Sequence, residues 1–259
     1  MAAGTLVGVD LGLQGRRALV TGASAGIAKG IAAGLVAEGA RVVVSSRSQD
    51  RIAAAAADVG AVAGLVWDSD DVDAAAGLVA SAGAALGGPV DVLVASTGGP
   101  PAGADPLAFT REQWEAAHRT LVLAPLALLT AVLPSMRAQG WGRVVNVAST
   151  SVREPLPYLM LSTAERSGLL AALKLLSTEV APDGVTINSV LPGRIMTARL
   201  LSSGATEAQV QDAAARDVPV GRVGSVEEIA AVATFLCSAQ AAYVTGTAVP
   251  VDGGLLRGT

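Results

Sequence analysis

Seven short runs rich in β-branched residues recur along the chain, separated by longer Ala- and Leu-rich stretches. They are RALVTG (17–22), RVVVSS (41–46), AVAGLVWD (61–68), DVLVAS (91–96), RVVNVAS (143–149), VTINSVLPG (185–193) and TAVPVDGG (247–254). Several are apolar at consecutive positions, the mark of strands covered on both faces. Because a helical pattern separates successive strands, the covering layers are helices and the strands run parallel. The fold class expected is α/β, a Rossmann-type doubly wound parallel sheet. No Pro/Gly/Ser-rich or charged linker divides the 259 residues, so a single domain is expected over 1–259. With 51% hydrophobic but only 3% aromatic residues, the core must be made of Ala, Val, Leu and Ile at close helix–sheet contacts.

Several partner classes are disfavoured. The longest apolar stretch, LVLAPLALLTAVLP from Leu121 to Pro134, has 14 residues and contains prolines, too short to span a bilayer. The N-terminal MAAGTLVGVD has no basic segment and carries Asp10, which argues against a signal peptide and for a cytoplasmic protein. A formal charge of −4 without a basic run gives no footprint for nucleic acid. The single cysteine, Cys237, and the single histidine, His118, cannot form a clustered metal site, so no metal is expected and Cys237 reads as a buried small hydrophobe.

The first strand leads into TGASAGIAKGIA, Thr21 to Ala32. Gly22 permits a tight turn, Gly26 permits close backbone approach, and the free N–H groups of a helix start favour an anion such as a pyrophosphate. A glycine turn at a βα junction also serves folding alone. TGASAGIA resembles the TGxxxGxG fingerprint of the short-chain dehydrogenase/reductase family, with Ala28 at the third glycine. Four further segments resemble the family in order: ASTGGP (95–100), NVAST (146–150), INSVLPGRIMT (187–197) and VTGTAVPVDGG (244–254), the pattern of a 3-oxoacyl-ACP-reductase-like member.

The resemblance implies a nicotinamide dinucleotide held by Gly22, Ser24, Gly26, Ile27, Gly98, Pro192, Gly193, Ile195 and Thr197, with Asp68 near the adenine. An acidic residue after the second strand would hold a ribose 2′-OH; this chain has Ser45, Ser46 and Arg47 instead, which favours NADP, with NAD the second choice. The other reading of Arg47 is a solvated residue capping the next helix.

At the reacting end the family uses a serine, a tyrosine, a lysine and a helix asparagine. Placing Ser149 at the serine sets the tyrosine position at Ser162, the lysine position at Arg166 and the asparagine position at Leu121. Ser149 remains able to hydrogen-bond a substrate oxygen. Ser162 is a far poorer acid than a phenol and is shorter by a ring. Arg166 keeps the charge and binds the nicotinamide ribose, but it cannot relay a proton. Other candidate donors are Tyr158, in the proline-framed PLPYLML, and His118, which on an ideal helix shares a face with positions 114, 121 and 125.

Three functions remain. The first is an NADP-dependent oxidoreductase that transfers hydride between nicotinamide and a carbonyl or alcohol by a non-standard proton path. The second is a catalytically silent nucleotide-binding scaffold or sensor, and the third a cofactor-independent lyase or dehalogenase. A small-molecule substrate, no nucleic acid, no membrane, a homotetramer or homodimer, and a mobile helical lid over about 198–218 complete the expectations.

Overall fold

A computed structural model describes residues 9–201 and 204–258. The segment 1–8, on which the signal-peptide expectation rests, and positions 202 and 203 of the lid lie outside the described residues. Seven strands form one parallel sheet: β1 (Arg17–Thr21), β2 (Arg41–Ser46), β3 (Ala63–Val66), β4 (Val92–Ala95), β5 (Gly142–Val147), β6 (Val185–Pro192) and β7 (Ala248–Val251). Their order is β3-β2-β1-β4-β5-β6-β7. All seven β-branched runs become strands. The order reverses direction between β1 and β4, so a crevice opens at the carboxyl ends of those two strands.

The helices are α1 (Gly26–Ala37), α2 (Gln49–Val59), α3 (Ala75–Leu86), α4 (Arg111–His118), α5 (Ala124–Gln139), α6 (Met160–Val180), α7 (Ala198–Leu201), α8 (Glu207–Asp217) and α9 (Val226–Leu236). Strand residues feed two cores in strict alternation. Ala18, Val20, Val42, Val44 and Val145 pack under α1 and α9, while Leu19, Val43 and Val144 pack under α3, α5 and α6. On α1, a Cβ at Gly30 would lie 2.2 Å from Val226, and one at Gly34 would lie 2.7 Å from Thr234, so these glycines set the close approach of α1 to α9. Cys237 is fully buried and its thiol is pushed up to about 12 by burial, in keeping with a small hydrophobe.

Two expectations need correction. The 14-residue apolar stretch is part of a longer helix: Arg111–Gln139 is a continuous helical run of 29 residues, long and apolar enough to cross a membrane by length and composition alone. Part of that run is enclosed by the fold, with Leu128, Leu129 and Val132 in the core beside α3 and α6. The shared face proposed for positions 114, 118, 121 and 125 is also lost. Arg119–Leu123 forms a π-helical turn in which Ala124 N donates to Arg119 O, five residues back, and the extra residue shifts the phase of all that follows.

The opposite edge of the sheet is fastened by Asp91, 3% exposed, whose carboxylate accepts from Arg17 N at 3.0 Å, Nε at 2.9 Å and Nη2 at 2.7 Å. This forked pair joins β1 to the chain entering β4. Asp91→Asn leaves a partly exposed guanidinium facing a buried amide, and urea unfolding is expected to show a loss of about 2 kcal/mol with an unchanged m-value. A loss below about 0.5 kcal/mol would show that the pair is not a fastening of the sheet.

Candidate active site

The crevice at the β1–β4 reversal is a cleft of about 860 Å³. Gly22, Ser24, Ser46, Arg47, Asp68 and Gly98, six of the positions picked out in the sequence, line it together. Gly22 has φ +65°, and a Cβ there would stand 2.7 Å from Ser96 O, so only glycine lets the chain turn over that carbonyl. Helix α1 begins at Gly26 behind Ala25, and no side chain among the described residues caps its first-turn N–H groups. Those donors are left for a ligand.

The rest of the predicted nucleotide set does not line the cleft itself. Ile27 is half-buried against the α1–α9 core. Gly26 adjoins Thr197, since a Cβ on it would be 3.5 Å from the threonine methyl. Pro192 ends β6, and Gly193 donates to Val251 O at 3.0 Å where a Cβ would strike Asp252. The Ile195 side chain is buried in the core, leaving its backbone as the part available to a ligand.

At the β2 end, two arginines face the cleft. Arg47 was read from the sequence; Arg51, one turn into α2, was not, although the spacing of four could have revealed it. Neither guanidinium has an ion-pair partner among the described residues. Ser46 Oγ is shielded from solvent and also lacks a hydrogen-bond partner among them. Ser48 caps α2 by accepting from Arg51 N, so Arg47 is not the cap. Asp68 Oδ1 accepts from Asp70 N at 3.1 Å, and Trp67 beside it forms another missed wall. Unpaired guanidiniums, an orphan hydroxyl and uncapped N–H groups suit a phosphorylated dinucleotide. Lys29, by contrast, pairs with Asp58 at 2.6 Å.

The reacting end lies past β5. Ser149 Oγ accepts from both Ser151 N at 3.2 Å and Ser151 Oγ at 3.0 Å, which leaves its own proton to donate. One helical turn links Ser162 and Arg166 on α6: Arg166 Nε donates to Ser162 Oγ at 3.2 Å, and Nη1 to Val147 O at 2.7 Å. Desolvation by burial, and then the charge of Arg199, lower the Arg166 guanidinium to about 10, so it remains a cation at neutral pH. Leu121, 1% exposed, sits inside the π-helical turn, where Thr120 Oγ1 donates back to the α4 carbonyls of Ala116 and Ala117.

The other two candidate donors are placed differently. Tyr158 is 51% exposed on a short turn of 3₁₀ helix, its carbonyl accepting from Gly103 N and its hydroxyl without a partner among the described residues. His118 Nδ1 is 2.7 Å from Glu165 Oε2, which ties α4 to α6 and turns the imidazole towards Glu165.

Two of the cleft glycines, Gly98 and Gly22, separate stability from binding. A Cβ on Gly98 meets no heavy atom within 4 Å and projects into open space. Gly98→Val is therefore expected to leave the unfolding free energy within about 1 kcal/mol of the parent while weakening NADPH binding by about tenfold or more, as read by nucleotide fluorescence. Gly22→Ala should instead lower the unfolding free energy itself by about 1–3 kcal/mol.

Comparison with known proteins places this geometry in context. The family model described as enoyl-(acyl carrier protein) reductase matches residues 22–256. Dehydrogenase/reductase SDR family member 4 of Homo sapiens is 33% identical over 248 residues, covering 93% of this chain and 88% of that one. The acetoacetyl-CoA reductase of Shinella zoogloeoides is 32% identical over 241 residues, covering 92% and 98%. Among solved structures, L-sorbose reductase from Gluconobacter frateurii, complexed with NADPH and L-sorbose, superposes with a TM-score of 0.89 at 31% identity, covering 97% of this chain and 100% of that one. A β1–β4 crevice of this shape and near-complete coverage by such relatives lead to one assignment: the chain belongs to the short-chain dehydrogenase/reductase family of oxidoreductases.

Proposed function

We propose that the protein is an NADP-dependent oxidoreductase that interconverts a carbonyl and an alcohol by a proton path without the family's phenol and amine. The observation that carries this reading is the pair Arg47 and Arg51 on one wall of the cleft, neither with an ion-pair partner among the described residues. Two forked donors at the end of β2 match a 2′-phosphate, and the absence of a carboxylate there removes the usual partner of a free 2′-OH. Ser46 Oγ would add a third donor. The α1 N–H groups behind Gly22 and Gly26 would hold the pyrophosphate, and Arg166 the nicotinamide ribose. NADPH, when bound, supplies the hydride.

The chain's own contribution at the carbonyl is electrostatic and positional. Ser149, with both lone pairs engaged by Ser151, directs its O–H at the substrate oxygen. Arg166 places a positive charge beside any negative charge that develops there. Ser162 spends its acceptor capacity on Arg166 and serves to hold that guanidinium. In this arrangement the proton is drawn from water through the hydroxyls. Loss of a positioned acid costs a factor of about 10² to 10⁴ in rate, whereas orientation of the two reactants retains about 7–11 kcal/mol of catalysis, so turnover is slow but real. Helices α7 and α8, packed around Val210, Ala214 and Val218, would form the lid over the substrate. The exposed Leu123 and Leu175 support a homodimer or homotetramer through the α5–α6 side.

Equilibrium titration is expected to give NADPH about tenfold tighter binding than NADH, and Arg47→Ala with Arg51→Ala should remove that difference without changing NADH affinity. NADPH oxidation with a panel of ketones and aldehydes should be slow, and Ser162→Tyr with Arg166→Lys should raise it by about 10². Saturable NADPH binding with no acceptor-dependent turnover at high enzyme concentration would instead favour a silent nucleotide-binding homologue.

A further inference from the structure

Ser151 lies on the 3₁₀ turn Thr150–Val152 that follows β5, and it is fully buried. The residue before the turn closes it: Ser149 Oγ accepts from Ser151 N at 3.2 Å. A second contact joins the two hydroxyls, with Ser151 Oγ 3.0 Å from Ser149 Oγ. Either serine can donate across such a contact, and burial decides which one does. Ser151 Oγ reaches no other acceptor among the described residues, so its proton goes to Ser149 or is left unsatisfied in the interior. Ser149 is only half-buried, and its own proton can turn outward.

Both lone pairs of Ser149 are then taken, and its hydroxyl can only donate. The groups beside it have the same polarity. Arg166 has five N–H donors and no acceptor, and it commits Nε to Ser162 Oγ and Nη1 to Val147 O. Ser162 Oγ, accepting from that cation, becomes a better donor and a poorer acceptor. On the helix pair α4–α6, two groups that can take a proton, the His118 imidazole and the Glu165 carboxylate, are bonded to each other. The donors share one wall, since Arg166 reaches Val147, two residues before Ser149, and α6 packs against the 3₁₀ turn. A carbonyl oxygen, which only accepts, suits such a wall. An alcohol oxygen brings a proton that finds no strong acceptor among these side chains.

We infer that Ser151 is a specificity-determining residue that acts through Ser149: by making that hydroxyl an obligate donor, it selects the carbonyl form of the substrate over the alcohol. The substrate class is then a ketone or aldehyde, and the direction of use is reduction. This deepens the oxidoreductase reading and rests on it for the place of the reacting carbon. Oxidation of an alcohol needs a base for the hydroxyl proton, and none of Ser149, Ser162 and Arg166 is one. In reduction, hydride arrives at the carbonyl carbon, the C=O π electrons pass to oxygen, and the oxyanion held by these donors takes its proton from water.

The test uses the ring-saturated tetrahydro analogue of NADPH, which neither gives nor accepts hydride, so that both forms of a substrate are compared without turnover. Protein loaded with it is titrated calorimetrically with cyclohexanone and cyclohexanol, acetone and isopropanol, and benzaldehyde and benzyl alcohol. At least one carbonyl compound should bind about tenfold or more tightly than its alcohol. Ser151→Ala frees an acceptor site on Ser149 and should shrink that ratio to about twofold or less. Ser151→Cys, a weaker donor of similar shape, should fall between the two, and it carries the same comparison if Ser151→Ala does not fold. In a Ser149→Ala background the change at Ser151 should have no further effect on the ratio. A serine that only closes the turn would alter the unfolding free energy and leave the ratio alone. The inference is overturned if carbonyl compounds and alcohols bind alike or not at all, if the ratio survives the loss of the Ser151 hydroxyl, or if that loss still changes it without Ser149. Failure to bind the analogue would count against the oxidoreductase reading instead, and the carbonyl–alcohol comparison is then read on the free protein.

Discussion

Thr21 and Ser96 exchange two hydrogen bonds across the point where the sheet reverses its order. Thr21 Oγ1 donates to Ser96 O at 2.8 Å and accepts from Ser96 N at 3.0 Å. Strands β1 and β4 pair through Val20 and Val94, and this clasp holds the next residues of each chain together as they begin to diverge. Thr21 is fully buried and Ser96 half-buried, so both bonds are largely shielded from competition by water. Everything at the cleft depends on it. Gly22 can turn over the Ser96 carbonyl only because that carbonyl is fixed, and the turn in turn aims the uncapped start of α1 at the crevice.

The site divides its labour between two ends. Towards β2 it offers paired arginines and an orphan hydroxyl, groups that await a phosphate. Past β5, outside the cleft lining, stand Ser149, whose hydroxyl accepts twice from Ser151, and a guanidinium that donates to Ser162 and Val147. On the proposed reading, the first end serves affinity and the second serves orientation and charge. The π-helical turn at Arg119–Leu123 packs against α6 and carries the buried Leu121, the position at which the family resemblance expects an asparagine.

The sheet was legible because apolar runs covered on both faces have few alternatives, and all seven strands fall within or one residue beyond the runs read from the sequence. Gly22 and Arg47 were legible for the same reason, as each follows directly on a strand end. What the sequence hid was lateral. Arg51 and Trp67 become walls of the cleft only once α2 and β3 are packed beside β2. The π turn has no residue signature of its own, so ideal helical spacing put His118 on the wrong face, and its pairing with Glu165 appears only when α4 meets α6. Pro125 and Pro134 each lack a backbone donor, yet the helical run continues through both because its core face is packed.

The central claim is that the β1–β4 crevice grips a phosphorylated nicotinamide dinucleotide while the reacting end has become a place of charge and hydroxyls. The most direct measurement is ³¹P NMR of NADPH bound to the protein as a function of pH. Contact with Arg47 and Arg51 predicts a 2′-phosphate resonance that is shifted from the free nucleotide and titrates well below its ordinary pKa of about 6. A 2′-phosphate that titrates as in free NADPH, in the presence of saturating protein, would contradict the account.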